Sequence, residues 1–152
     1  MNLFYTKTYN LSGENADKQS RIAKMGWELG MQEIALFRFD DRSDSDEELR
    51  MRLHAITTAV PEDGIVFLQY PTMVGMRYDQ MLIEILKKRK GVQLIIVLEG
   101  YGSQVCPETY FELEEEKKLL CYADLMITFP DDIDELHTKR YLLDAACDVL
   151  EK

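Results

Sequence analysis

Three short stretches of the sequence gather side chains able to hold a small polar ligand. They are Tyr9, Asn10, Ser12 and Gly13; Gln69, Tyr70, Pro71 and Thr72; and Glu99, Gly100, Tyr101 and Gly102. Amides, hydroxyls, aromatic rings and one carboxylate suit a sugar-sized polar ligand, and the same residue types also serve in ordinary loop capping. Pro71 fixes its own φ and biases Tyr70 toward an extended backbone, which is expected to hold the Tyr70 ring and the Gln69 amide at an edge.

Each stretch follows an apolar run of strand length. Five such runs, residues 2–8, 33–39, 64–69, 92–98 and 124–129, each precede a helical pattern. That order predicts an α/β fold, a three-layer Rossmann-like doubly wound parallel sheet of five strands with helices on both faces. In such a sheet ligands bind outside the carboxyl ends of the strands, where strand order reverses. The three stretches fall at those ends.

The helical patterns carry their own punctuation. The first, residues 17–29, places Ile22, Met25 and Leu29 on one stripe, with Trp27 beside it as a packing anchor, and stops at Gly30. Ser43 or Ser45 caps the second, whose first turn is crowded with acids where the helix dipole favours them and whose inward stripe is Leu49, Leu53 and Ile56. The third, residues 77–90, turns Met81, Leu82, Ile85 and Leu86 inward and ends in the basic run KKRKG, which reads as a helix C-terminus. The fourth spans residues 108–122, with ELEEEKK as its solvated face, and the fifth starts near residue 132. No linker, repeat or low-complexity tract interrupts the chain, so residues 1–152 are expected to form one domain.

Several chemistries lack their groups. The turn after the first strand, YNLSGEN, has a single glycine and so no dinucleotide fingerprint, and Asp40 after the second strand reads as a turn and cap residue. GxxxxGK[ST] and GxSxG do not occur, and His54 and His137 lie in helical patterns away from strand ends. The acids and lysine of a phospho-receiver site are missing from the corresponding strand ends. No metal or cofactor is expected.

With 28 acidic against 18 basic side chains and a net charge of −10, the field of the chain repels nucleic acid and anionic membrane surfaces. Three cysteines without a CxxC spacing fit neither a disulfide framework nor a zinc site. Cys121 and Cys147 read as small core residues, Cys106 as the more exposed one. The first residues carry no basic leader, and no apolar stretch reaches the ~18 residues a membrane span needs, so a cytoplasmic location is expected.

The landmarks NADKQSRIAKMGWELGMQEIALFRF, SDSDEELRMRLHAITTAVPEDGIVFLQYPT, YDQMLIEILKKRKGVQLIIVLEG and YADLMITFPDD, taken in order, resemble the amino-terminal half of bacterial glycosyltransferases of the GT-B type. The likeness is to the glucosyl- or galactofuranosyltransferases that extend glycans on serine-rich repeat adhesins. It spans residues 2–139 and rests on element order and on FLQYPT and YADLMITF. The resemblance implies that Gln69, Tyr70, Pro71 and Thr72 border an acceptor-side cleft; Tyr9, Asn10, Gly100 and Tyr101 are candidate binding residues by their position after the first and fourth strands. It implies a glycan or glycoprotein acceptor and a nucleotide-sugar held mainly by a second, donor-side domain on a partner or further along the gene. The chain alone is then not expected to transfer sugar. Family members tend to place a histidine–aspartate pair after the fourth strand; here Glu99 and Gly100 stand there, leaving Glu99 as the one carboxylate for a general-base role.

A second reading makes the chain a non-catalytic interaction or regulatory module, or a homo-oligomer, using an exposed apolar patch at Tyr70, Met73, Val74 and Met76.

Overall fold

A computed structural model of the protein describes residues 1–9, 22–130 and 132–151. The expected sheet is present. Strands β1 (Asn2–Thr6), β2 (Gln32–Glu33), β3 (Gly64–Tyr70), β4 (Gln93–Leu98) and β5 (Leu125–Ile127) are all parallel, in the order β2-β1-β3-β4-β5. Residues 22–28 are helical and are labelled α1. The remaining helices are α2 (Asp46–Thr57), α3 (Met76–Lys88), α4 (Gly102–Val105), α5 (Leu113–Leu120) and α6 (Glu135–Leu150).

Alternation along β3 divides the core into two. Ile65 and Phe67 face Ile22 and Met25 of α1 and Leu142, Ala146 and Val149 of α6. Val66, Leu68 and Tyr70 face Leu49 and Leu53 of α2, Leu82 and Leu86 of α3, and Leu119 and Leu120 of α5. Every residue of β3 is buried, which explains the near-continuous apolar run of a central parallel strand. Each large apolar side chain so buried contributes about 1.5–3 kcal/mol relative to exposure.

Ser45 caps α2 by accepting from the Glu48 amide at 3.2 Å, and Gly30 closes α1 at φ 73°. The basic end of α3 is structural, as expected: Arg89 donates to the carbonyls of Thr57 and Val60, tying α3 to the end of α2.

Four expectations need correction. The second strand is two residues, because after Ile34 the chain leaves the ladder. The Phe37 amide donates instead to the Tyr78 hydroxyl at 3.1 Å, and the Phe37 and Phe39 rings pack on Tyr78. The fourth helix, expected over residues 108–122, is only Leu113–Leu120, because residues 107–110 form a turn instead and Tyr110 goes into the core, edge-on to Tyr70 with ring centroids 6.2 Å apart; the short α4 precedes that turn. Trp27 is no anchor; it is 82% exposed. Cys121 and Cys147 are exposed rather than core, on the outward faces of their elements, and Cys106 is half-buried.

No helix among the described residues is long and apolar enough to cross a membrane.

Candidate functional site

The chain runs from β1 outward to β2 and returns to add β3 on the other side of β1, so strand order reverses between β1 and β3. At that point the Gln69 amide donates to Thr6 Oγ1 at 3.2 Å. Just beyond, the Tyr9 amide donates to the Thr72 carbonyl at 2.6 Å. The loops after β1 and β3 are thus clasped together where a doubly wound sheet opens its crevice.

The polar groups that end β3 each meet a defined partner. Gln69, on the α1/α6 side, donates through Nε2 to Glu99 Oε1 at 3.2 Å. Its carbonyl Oε1 is buried and accepts no hydrogen bond among the described residues. A buried acceptor left unsatisfied costs about 1–3 kcal/mol and calls for an explanation, a bound donor being one.

Tyr70 points to the opposite side of the sheet. Its hydroxyl donates to Glu116 Oε2 at 2.5 Å, and the same carboxylate accepts from the amides of Gly102 at 2.6 Å and Ser103 at 2.7 Å. Gly102 must be glycine, since a Cβ there would stand 2.4 Å from the Tyr110 ring. Burial, then the hydrogen bond to Glu116, pushes the Tyr70 hydroxyl far above its usual range, so it stays protonated. The expected Tyr70 ring at the cleft edge is therefore a core ring, with no exposed surface.

Thr72 is buried too. Its amide donates to Asp79 Oδ2 at 3.0 Å and its hydroxyl to Asp79 Oδ1. The next amide, of Met73, donates to the Tyr110 hydroxyl at 2.8 Å. Those bonds hold Met73 at φ 70°, a left-handed backbone that costs a non-glycine residue about 1–3 kcal/mol. Asp79 is fully buried, and desolvation raises its carboxyl to about 7 against the lowering effect of the Thr72 and Tyr110 hydrogen bonds.

Of the remaining expected site residues, Tyr9, Glu99, Gly100 and Tyr101 are half-buried and border the edge, and Asn10 lies outside the described residues. Gln69 and Glu99 meet at the strand tips, while Tyr70 turns to the opposite side of the sheet. Met73, Val74 and Met76 are half-buried against the α2/α3 core, so the apolar patch of the second reading is not an exposed surface.

Two carboxylates escaped the sequence reading although a signal was there. Asp79 shares its stripe with Leu82, Ile83 and Leu86, and Glu116 shares one with Leu119 and Leu120 at helical spacing. Acids at those positions must be buried, so Glu116 does not belong to the solvated face assigned to ELEEEKK.

A hollow opens on the α2/α3 side of the sheet. It encloses about 540 Å³ between Arg38, Phe39, Asp40, Asp41, Arg42 and Asp44 of the β2–α2 connection, Val74 after β3, and Thr109. Arg77 fixes that connection by donating to the carbonyls of Asp41 at 2.6 Å and Asp44 at 2.9 Å. Asp40 is the expected turn residue, its Oδ1 accepting from the Arg42 amide at 2.9 Å. Among the described residues no group of histidines, cysteines, aspartates and glutamates is arranged to hold a metal ion.

The family model for the glucosyltransferase 3-like N-terminal domain matches residues 2–135. The chain belongs to that family. It is also 29% identical over 129 residues to "Glucosyltransferase 3" of Streptococcus gordonii, an alignment covering 84% of this chain and 38% of that protein. The chain therefore spans well under half the length of the relative it matches.

In this glucosyltransferase 3-like domain the carboxyl edge offers three kinds of group. Gln69 and Glu99 present an amide and a carboxylate in contact. Tyr9, Gly100 and Tyr101, beyond the ends of β1 and β4, are each partly exposed. Asp79 and Glu116 lie beneath, holding the loops that carry them.

Proposed function

We propose that this chain is the acceptor-side half of a GT-B type glycosyltransferase, receiving a protein-linked glycan such as those of serine-rich repeat adhesins. A separate donor-side domain brings the nucleotide-sugar. Membership of the family and a relative more than twice as long support the reading. The observation that carries it is the buried Gln69 carbonyl without a donor among the described residues, beside Glu99 at the strand tips.

A sugar hydroxyl has the proton that the Gln69 carbonyl lacks. The amide of Gln69, donating to Glu99, orients that carboxylate toward the same margin. In transfer, Glu99 accepts the proton of an acceptor hydroxyl as its oxygen bonds to the anomeric carbon of the donor sugar, and the nucleotide leaves with the bonding pair. The amide and the carboxylate bind and orient; the leaving group is handled by the other half.

Mixing the chain with the donor-side remainder of the Streptococcus gordonii relative, a nucleotide-glucose and a glycan acceptor tests this reading. Transfer is expected from the mixture and from neither half alone, and to fall at least about tenfold with Glu99→Gln. A mixture that associates but transfers nothing, or an unaffected variant, contradicts it.

A further inference from the structure

Helix α6 carries two apolar faces. Leu142, Ala145, Ala146 and Val149 turn inward and are buried. A second stripe, Leu136, Leu143 and Leu150, recurs at heptad spacing and so stays on one side of the helix. The fold does not absorb that stripe. Leu136 is 65% exposed, Leu150 is 52% exposed, and Leu143 between them is only partly covered. The free Cys147, one turn after Leu143, is exposed as well. A surface helix ordinarily keeps the side opposite its core polar, and large apolar side chains lined up there mark a contact with another molecule.

The charges beside the stripe divide by sign along the helix. Arg140 lies in its first half, Asp144 and Asp148 in its second. Among the described residues the ion pairs of α6 use Glu135, His137 and Lys139, leaving Arg140, Asp144 and Asp148 unpaired.

We infer that the outer face of α6 is a docking surface for a second copy of this chain, the two α6 helices packing antiparallel about a two-fold axis at Leu143. The leucines fit that axis, since Leu136 then meets Leu150 of the second copy and Leu143 meets its own counterpart. The charges favour this direction. At a rise of about 1.5 Å per residue, Arg140 falls about 3 Å along the axis from Asp144 of the second copy, and symmetry forms the same pair again. A parallel pair would instead set Arg140 against Arg140 and Asp144 against Asp144. Antiparallel packing also opposes the two helix dipoles, and α6 has no basic residue in its last turn to offset its own. Because α6 returns from the tip of β5, the tips of the two sheets lie at opposite ends of the pair, away from the axis. Pairing therefore stands or falls separately from acceptor binding at Gln69 and Glu99.

Sedimentation velocity of the chain from low to high micromolar concentration tests the inference, with a reversible dimer as the expected result. Leu136→Lys combined with Leu150→Lys, both at exposed positions, should weaken the dimer at least about tenfold and leave the circular dichroism spectrum unchanged. Arg140→Glu and Asp144→Arg should each weaken it about tenfold, because each sets like charges face to face, and the two together should restore it.

A chain that stays monomeric throughout overturns the inference. So does a dimer that the paired leucine substitutions leave intact, or one that the exchanged charges fail to restore. A monomer that instead binds the donor-side remainder of the Streptococcus gordonii relative through the same leucines overturns it in favour of that half as the occupant of the face.

Discussion

Gln69 and Glu99 stand side by side at the tips of β3 and β4, the glutamine Nε2 donating to the glutamate Oε1 at 3.2 Å while the glutamine carbonyl lies buried without a donor among the described residues. A buried acceptor without a donor costs its desolvation penalty, which a bound donor would recover. The arrangement makes sense when the missing donor comes from a ligand.

Replacing Gln69 with leucine separates the two roles. The substitution removes the stranded carbonyl and keeps the volume, so unfolding free energy in urea should change by no more than about 1 kcal/mol. Saccharide binding should fall at least about tenfold. A loss of several kcal/mol in stability would make Gln69 a core residue and nothing more.

Asp79 gives the fold a pH dependence with a definite sign. Its folded-state value, about 7, lies above the ordinary 3.8, so the folded state holds the proton more tightly than the unfolded chain. The stability it contributes is present below about pH 4 and is lost as pH rises through 7, at up to about 1.4 kcal/mol per pH unit between them. Urea midpoints measured between pH 4 and 8 should show this decline after subtraction of the same curve for Asp79→Asn, whose amide can still accept from the Thr72 amide. Identical curves for the two proteins would contradict the assignment.

Glu116 is a keystone for the start of α4. Alanine in its place leaves the Tyr70 hydroxyl and the Gly102 and Ser103 amides without their acceptor, a loss of about 3–5 kcal/mol. Tyr70→Phe removes one of the three bonds and should cost about 1–3 kcal/mol. Thermal unfolding of both variants checks the order; equal effects would mean the amides find other partners.

Trp27 should be dispensable for folding. At 82% exposure its replacement by alanine is expected to shift stability by no more than about 0.5 kcal/mol. A drop above 2 kcal/mol in chemical denaturation would show that it is covered in solution.

The parts of the fold legible in the sequence were those written in apolar periodicity. The runs that became β3 and β4 could be buried only in the centre of a sheet, and the stripe Met81, Leu82, Ile85 and Leu86 allowed one inward face for α3. What periodicity does not carry was missed. The second strand ended early because Tyr78, distant in sequence, offered the Phe37 amide a hydroxyl.

The site was half legible for the same reason. Polar residues at strand ends located the edge, but the side of the sheet to which each pointed depended on which helix covered it. Tyr70 and Gln69, neighbours in the chain, part to opposite faces, and only the position of Glu116 beneath Tyr70 decides that its ring belongs to the core. Asp79 and Glu116 were readable as acids on apolar stripes, a pattern that marks a buried carboxylate once the stripe is laid out.

The central claim is that this chain holds the acceptor and not the donor. Titrating the isotope-labelled protein separately with a glycan acceptor and with a nucleotide-glucose, and following the Gln69 side-chain amide and the Glu99 backbone amide, tests it most directly. The account predicts saturable shifts at both with the glycan and none with the nucleotide-sugar. Shifts produced by the nucleotide-sugar, with the glycan leaving both signals unmoved, would contradict it.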